Sequence, residues 1–301
     1  MADRGEQGGA GAARYFHASS LERLAGKRPE SGRHLTFLDA PQTKEAGERF
    51  SFGITEIDQC LGGGLAAHAL HEIRCRHGRD IALASGFLLG LLSQLAQQAQ
   101  QALGHAGRRI VWVVDPASAV DGGSLFPAGL AQYGLDPGCF TLVAPRDLKS
   151  ALWAADEAAA CRDALAVILQ IKGNPARFGL TETRRLAVRA RETGVFAGIL
   201  RSSGEEEATA ALTRWLVEPQ ASSASDDHRN GIGCVRHILT LERNRNGQGG
   251  QWPVAWNMKD KVFEYVTPHP ATNPVHRLPA PGHRPHRPAD MGTLLDFGRA
   301  S

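Results

Sequence analysis

His68, His71, Cys75 and His77 fall within ten residues of one another. Imidazole nitrogen and thiolate sulfur are the donors that zinc prefers. Their spacing fits no standard zinc site, and in an extended strand His71 and Cys75 share one face while Glu72 points away. A strand and turn that contain histidines is the plainer reading, and no metal is expected. Cys60, Cys139, Cys161 and Cys234 are scattered without a CxxC pair, which argues against a disulfide framework and fits a reducing compartment. A second group is cationic: Arg184, Arg185, Arg189 and Arg191, with Arg177 just ahead of them. Guanidinium groups in a cluster suit DNA phosphates or an acidic partner. The same segment needs a solvated face opposite Leu186 and Val188, and that is the preferred reading. Phosphate chemistry of the Walker type needs a lysine, yet no lysine occurs between Lys44 and Lys149.

Alternating strand and helix signals must position these groups. Ala69–Cys75 predicts a strand and Ile81–Ala102 a buried helix. Arg109–Val114 (RIVWVV) and Ala164–Ile171 (ALAVILQI) are continuous apolar runs of the kind found in strands covered on both faces. Helices are predicted over Leu125–Tyr133, Asp147–Arg162, Thr181–Thr193 and Glu205–Val217, and strands over Phe140–Val143 and Val195–Leu200. Alternation of this kind implies right-handed crossovers and a mostly parallel sheet with helices on both faces. Cys234–Arg243, Trp252–Asn257 and Val262–Val266 instead predict antiparallel strands joined by turns such as Asn246-Gly247.

The 301 residues carry a formal net charge of +3 and only 6% aromatic residues. There is no global basic field and little material for stacking single-stranded bases. Residues 1–49 read as a flexible arm with a short helix near Ser20–Lys27, residues 50–266 as the folded body, and residues 267–301 as a disordered tail. The tail holds seven prolines and four histidines between Thr267 and Pro288, too little apolar surface to offset the entropy of ordering. His283 and His286 are part of that composition. The apolar run Ile81–Leu92 is shorter than the roughly 20 residues a bilayer span needs, and the N-terminus lacks a secretory signal. A soluble, cytoplasmic protein is expected.

The entry to the body, Phe52-Gly53-Ile54-Thr55-Glu56-Ile57-Asp58-Gln59-Cys60-Leu61-Gly62-Gly63-Gly64-Leu65 followed by His71-Glu72-Ile73, resembles the segment before the phosphate loop of RecA-family recombinases. The resemblance implies an α/β, RecA-like core. Counting on from Glu72-Ile73, the phosphate-loop positions fall on Cys75, Gly78, Asp80, Ile81 and Ala82. Backbone N–H groups, a lysine and a Mg²⁺-binding hydroxyl belong there in a working site. Here the lysine has become Ile81 and the hydroxyl Ala82, while Asp80 sets a carboxylate where polyphosphate would lie. The water-activating glutamate matches Ala117, which offers no base. The acid of the Mg²⁺ shell matches Gln170, a poor ligand for that ion. No nucleotide cofactor and no ATP hydrolysis are expected. Arg201-Ser202-Ser203-Gly204-Glu205-Glu206-Glu207 occupies the place of a DNA-contacting loop. Its three glutamates repel a phosphate backbone and suit the N-terminal end of the helix predicted after them.

A recombinase-like body with a blank nucleotide site, ending in Leu241-Glu242-Arg243-Asn244-Arg245 before a Gly-rich turn and Trp252, resembles the ImuA family over residues 50–266. That resemblance implies a damage-inducible, non-catalytic accessory protein of error-prone translesion DNA synthesis. Its implied partners are ImuB, a Y-family polymerase homologue, and the mutagenic copy of the replicative polymerase α-subunit. RecA is a further candidate, DNA contact is indirect or weak, and no membrane is involved. Two alternatives share the scaffold: a SulA-like inhibitor of cell division, and an active RecA-like DNA-dependent ATPase. Docking residues are sought in the arms. Phe16, within Tyr15-Phe16-His17-Ala18, stands where recombinases carry a docking aromatic. Leu294, Leu295 and Phe297 form an apolar island beyond a polar linker, the pattern of a short docking peptide.

Overall fold

The computed structural model describes residues 14–17, 48–103, 108–222 and 234–267. Ten strands form one sheet in the order β1-β6-β5-β7-β8-β4-β9-β10-β11-β12. The strands are β1 (Arg14–His17), β4 (Leu70–Cys75), β5 (Arg109–Val114), β6 (Phe140–Ala144), β7 (Ala164–Lys172), β8 (Phe196–Ser202), β9 (Thr213–Gln220), β10 (Arg236–Asn244), β11 (Gly250–Asn257) and β12 (Val262–Tyr265). Every neighbouring pair from β1 through β9 is parallel. The pairs β9–β10, β10–β11 and β11–β12 are antiparallel. A separate two-stranded ribbon, β2 (Arg49–Phe50) with β3 (Leu65–Ala66), flanks the sheet. The fold is α/β, with a mostly parallel sheet and an antiparallel ending.

Both faces of the sheet are covered, and the side-chain alternation of each central strand shows why. Along β7, Ile168 joins one apolar cluster while Val167, Leu169 and Ile171 join another. On β5, Trp112 and Val113 divide in the same way. The first cluster takes Phe87, Leu88, Leu91 and Leu92 from α2 (Ile81–Leu103); the second takes Ala151, Ala155 and Ala159 from α5 (Leu148–Ala159) and Leu186 and Ala190 from α6 (Leu180–Thr193). A period of two with both parities apolar is what a strand buried on both faces requires. Local signals fix the helix ends. Asp147 caps α5 by accepting from the Ser150 N–H at 2.7 Å, and Gly194 closes α6 with φ of +75°. The remaining helices are short: α1 (Thr55–Cys60), α3 (Pro116–Gly122) and α4 (Pro127–Gln132).

The helix that opens with the apolar run at Ile81 continues through the Gln-rich segment to Leu103. The stretch Gly78–Gln101 is therefore long and apolar enough to cross a bilayer by composition. Its apolar side chains are buried against the sheet instead, which marks it as a core helix.

The helix predicted over Glu205–Val217 does not form. Residues 203–212 are an irregular loop, and β9 begins at Thr213. Strand β1 lies within the arm read as flexible, and pairs with β6, Phe16 opposite Val143. The short helix sought at Ser20–Lys27, and Leu294, Leu295 and Phe297, lie outside the described residues.

Candidate functional site

The glycine-rich entry motif is built to close a turn. Gly62, Gly63 and Gly64 have φ of +73°, +103° and +116°, a region where side chains are strained. A Cβ on Gly64 would lie 2.4 Å from the Phe50 carbonyl oxygen. Asp58 organises both sides of this turn. Its carboxylate accepts from the Phe52 N–H at 2.7 Å and the Ser51 hydroxyl at 2.6 Å, and its carbonyl accepts from the Gly63 N–H at 2.7 Å. These bonds hold Phe50 and Phe52 in the core beneath α2.

Beyond β4 the chain reaches the place where a phosphate loop would lie. Only five residues separate Cys75 from Ile81, and a 3-10 turn takes up Gly78–Asp80. The loop spends two of its donors on itself: the Asp80 N–H bonds the His77 carbonyl at 3.0 Å, and the Ile81 N–H bonds the carbonyl of Gly78. Ile81 is 2% exposed. Its side chain abuts Gly122, where a Cβ would come within 3.2 Å of Ile81 Cγ2 and 2.9 Å of Gln170 Nε2. Asp121 leans over the loop, and a Cβ on Gly78 would meet its Oδ2 at 2.5 Å. Lys172 pairs with that carboxylate at 2.9 Å. Burial first, then the charges of Asp80 and Asp121, pushes the Cys75 thiol up to about 12, so it stays protonated and is no nucleophile.

The other matched positions converge on the same end of the sheet. Ala117 is exposed on α3, with no proton-transfer group to offer. Gln170 is buried; its Oε1 accepts from the Trp112 indole N–H at 3.0 Å and its Nε2 donates to the Ser118 hydroxyl at 3.1 Å. A neutral amide bridging an indole and a hydroxyl stands where a metal-organising carboxylate was sought. Burial raises the Asp115 carboxyl at the end of β5.

A buried ionic cluster beside this end of the sheet was not legible in the sequence. Glu72 on β4 accepts from Arg201 Nε at 2.8 Å and from Arg214 Nε at 2.9 Å, with the Thr209 hydroxyl on the same carboxylate at 2.9 Å. Burial alone would raise the Glu72 carboxyl, but the guanidinium groups of Arg201 and Arg214 hold it below its ordinary value. Glu207 reaches Arg201 at 3.4 Å and Asn174 at 2.7 Å, while Glu206 reaches Arg214 at 3.2 Å. The glutamate run thus neutralises buried arginines and caps no helix. Arg74 and Glu242 form a two-pronged pair at 2.6 and 2.9 Å. Arg243 and Arg245 both donate to the Thr209 carbonyl, at 2.8 and 3.2 Å. Loop 203–212 is therefore pinned from four strands, β4, β8, β9 and β10.

The cationic helix is partly spent on structure. Arg185 pairs with Asp156 of α5 at 2.7 Å and Arg189 approaches it at 4.0 Å. Arg177, Arg184 and Arg191 are exposed. Of the zinc-type residues, His71 is buried between the Thr213 hydroxyl at 2.8 Å and the Ala66 carbonyl at 2.9 Å, while His68 lies 3.6 Å from Glu48. No protein-family model matches the chain, and no curated protein matches it.

Proposed function

We propose that this chain is a non-catalytic accessory protein of damage-induced, error-prone DNA synthesis, working in the cytoplasm on a recombinase-like scaffold that no longer takes up ATP. The observation that carries the reading is the filled phosphate position. Ile81 is packed into the sheet end, the Asp80 and Ile81 N–H groups are bonded within the loop, and the Asp80 and Asp121 carboxylates flank it. Asp121 is paired with Lys172 at 2.9 Å and Asp80 lies 3.9 Å from Arg79, so the packing of Ile81, more than charge, supports the reading. Gln170 and Ala117, in place of acid and base, support the same reading. A scaffold without turnover serves by holding partners, and those proposed are an ImuB-type polymerase homologue, the error-prone polymerase α-subunit and RecA.

Calorimetric titration of the purified chain with MgATP tests the first half: no heat of binding is expected up to millimolar nucleotide, and micromolar affinity would overturn the reading. Affinity capture from cells with damaged DNA tests the second half, with the two polymerase-type proteins as the expected catch.

A further inference from the structure

A cavity of about 620 Å³ opens between the first turns of α2, the ends of β5 and β6, and the segment that runs through α3 and α4. It adjoins the filled phosphate position, with Ala82 and Gln170 common to both, and its ligand does not depend on the accessory-protein reading. Small residues make the room: Ala82 and Gly86 on α2, Ala119 on α3, and the Gly122-Gly123 link. Gly86 faces the Tyr133 hydroxyl, which a Cβ there would meet at 2.6 Å. The walls are aromatic. Trp112 and Tyr133 line the cavity, Tyr133 is fixed by stacking on Trp256 at 5.4 Å, and Phe126 is 72% exposed among the lining residues.

The lining defines the ligand. Among the described residues it contains no Asp, Glu, Lys, Arg or His, so a charged molecule would lose hydration without a counter-charge. Gln170 is its buried amide. One Gln170 N–H goes to Ser118 and one acceptor site goes to Trp112. A primary amide has two N–H donors and two lone pairs, so one donor and one acceptor are left over. The volume lies within the 300–1,000 Å³ or so typical of small-molecule sites, which combine apolar walls with few polar groups. We propose that this cavity binds an uncharged, flat heteroaromatic molecule with an adjacent donor and acceptor, such as a ring lactam, held edge-on by Gln170 between aromatic walls.

Quinazolin-4-one, a neutral ring lactam, and naphthalene, of similar size without the polar edge, are the probes. Each is titrated into the full chain and followed by Trp fluorescence and saturation-transfer NMR. Saturable one-to-one binding of quinazolinone, at least tenfold tighter than naphthalene, is expected. Ala119→Trp, an exposed position on the cavity wall, should weaken it at least tenfold, and Gln170→Leu should bring the two probes level. If Gln170→Leu does not fold, the ratio of the two probes on the unaltered chain decides. Equal affinity for both probes, no saturable binding up to millimolar quinazolinone, or unchanged binding by a folded Ala119→Trp chain would each overturn the proposal.

Discussion

Glu72 and Arg201 meet at 2.8 Å with 2% and 0% of their side chains exposed. Arg214 shares the same carboxylate from the other side, at 2.9 Å. One buried negative charge thus holds two buried positive ones, and the loop after β8 is fastened to that knot.

Removing the carboxylate leaves Arg201 with only Glu207, at 3.4 Å, and Arg214 with only Glu206, at 3.2 Å, for counter-charge. Breaking one side of a buried ion pair costs about 3–5 kcal/mol. Glu72→Gln should lower the stability measured by urea unfolding by that amount, and loop 203–212 should lose protection in hydrogen exchange before the sheet does. A loss below 1 kcal/mol would mean that the knot contributes little.

Acid should weaken the fold through two histidines. Burial pushes His71 and His237 each down to about 4, whereas an unfolded histidine titrates near 6.5. Between those values the unfolded chain binds more protons, so stability is full above about pH 6.5 and falls as pH drops toward 4. The loss is on the order of 3 kcal/mol per histidine over that window. Urea melts at pH 7 and pH 5 should show it, and His237→Phe should make the decline shallower.

Gly64 tests the entry turn. Its φ of +116° and the Phe50 carbonyl 2.4 Å from any Cβ leave no room for a methyl group. Gly64→Ala should destabilise by at least about 2 kcal/mol, read as a lower thermal midpoint.

Supplying the side chains of a working phosphate loop should not confer nucleotide binding. The double substitution Ile81→Lys with Ala82→Ser supplies an ammonium and a hydroxyl, but Asp80 and Asp121 remain and the lysine enters a buried space. Calorimetry with MgATP should stay flat, and the melting temperature should fall because a buried ammonium lacks its hydration. Micromolar binding by the double variant would show that the side-chain types at 81 and 82 alone decide nucleotide uptake.

The terminal peptide can be tested by truncation. Deleting residues 291–301 removes Leu294, Leu295 and Phe297; capture of the proposed polymerase-type partner should drop below detection while the melting temperature stays unchanged. Full capture by the truncated chain would place the docking surface elsewhere.

What the sequence revealed divides along physical lines. RIVWVV and ALAVILQI were legible as strands because burial on both faces makes nearly every position apolar. The segment Glu205–Val217 was misread because glutamate and alanine favour helices locally. Its actual partners, Glu72, Arg74 and Asn174, lie far away in sequence, and no periodicity reports such contacts. The same limit hid Asp156 as the partner of Arg185. At the loop after β4, residue types alone showed that no lysine stands at 81, no hydroxyl at 82 and no acid at 170. They did not disclose that Ile81 turns inward against Gly122, or that Asp121 covers the loop.

Strand β4 lies between β8 and β9 in the sheet. A ribosome that has just released residues 70–75 must add about 120 more before the first of those neighbours exists, roughly 6–24 s of synthesis at ordinary rates. During that interval α2 presents Phe87, Leu88, Leu91 and Leu92 with half or more of its future sheet missing. The nascent chain therefore spends many seconds with its most apolar helix uncovered, and its yield in the cell should depend on the chaperones that meet it there.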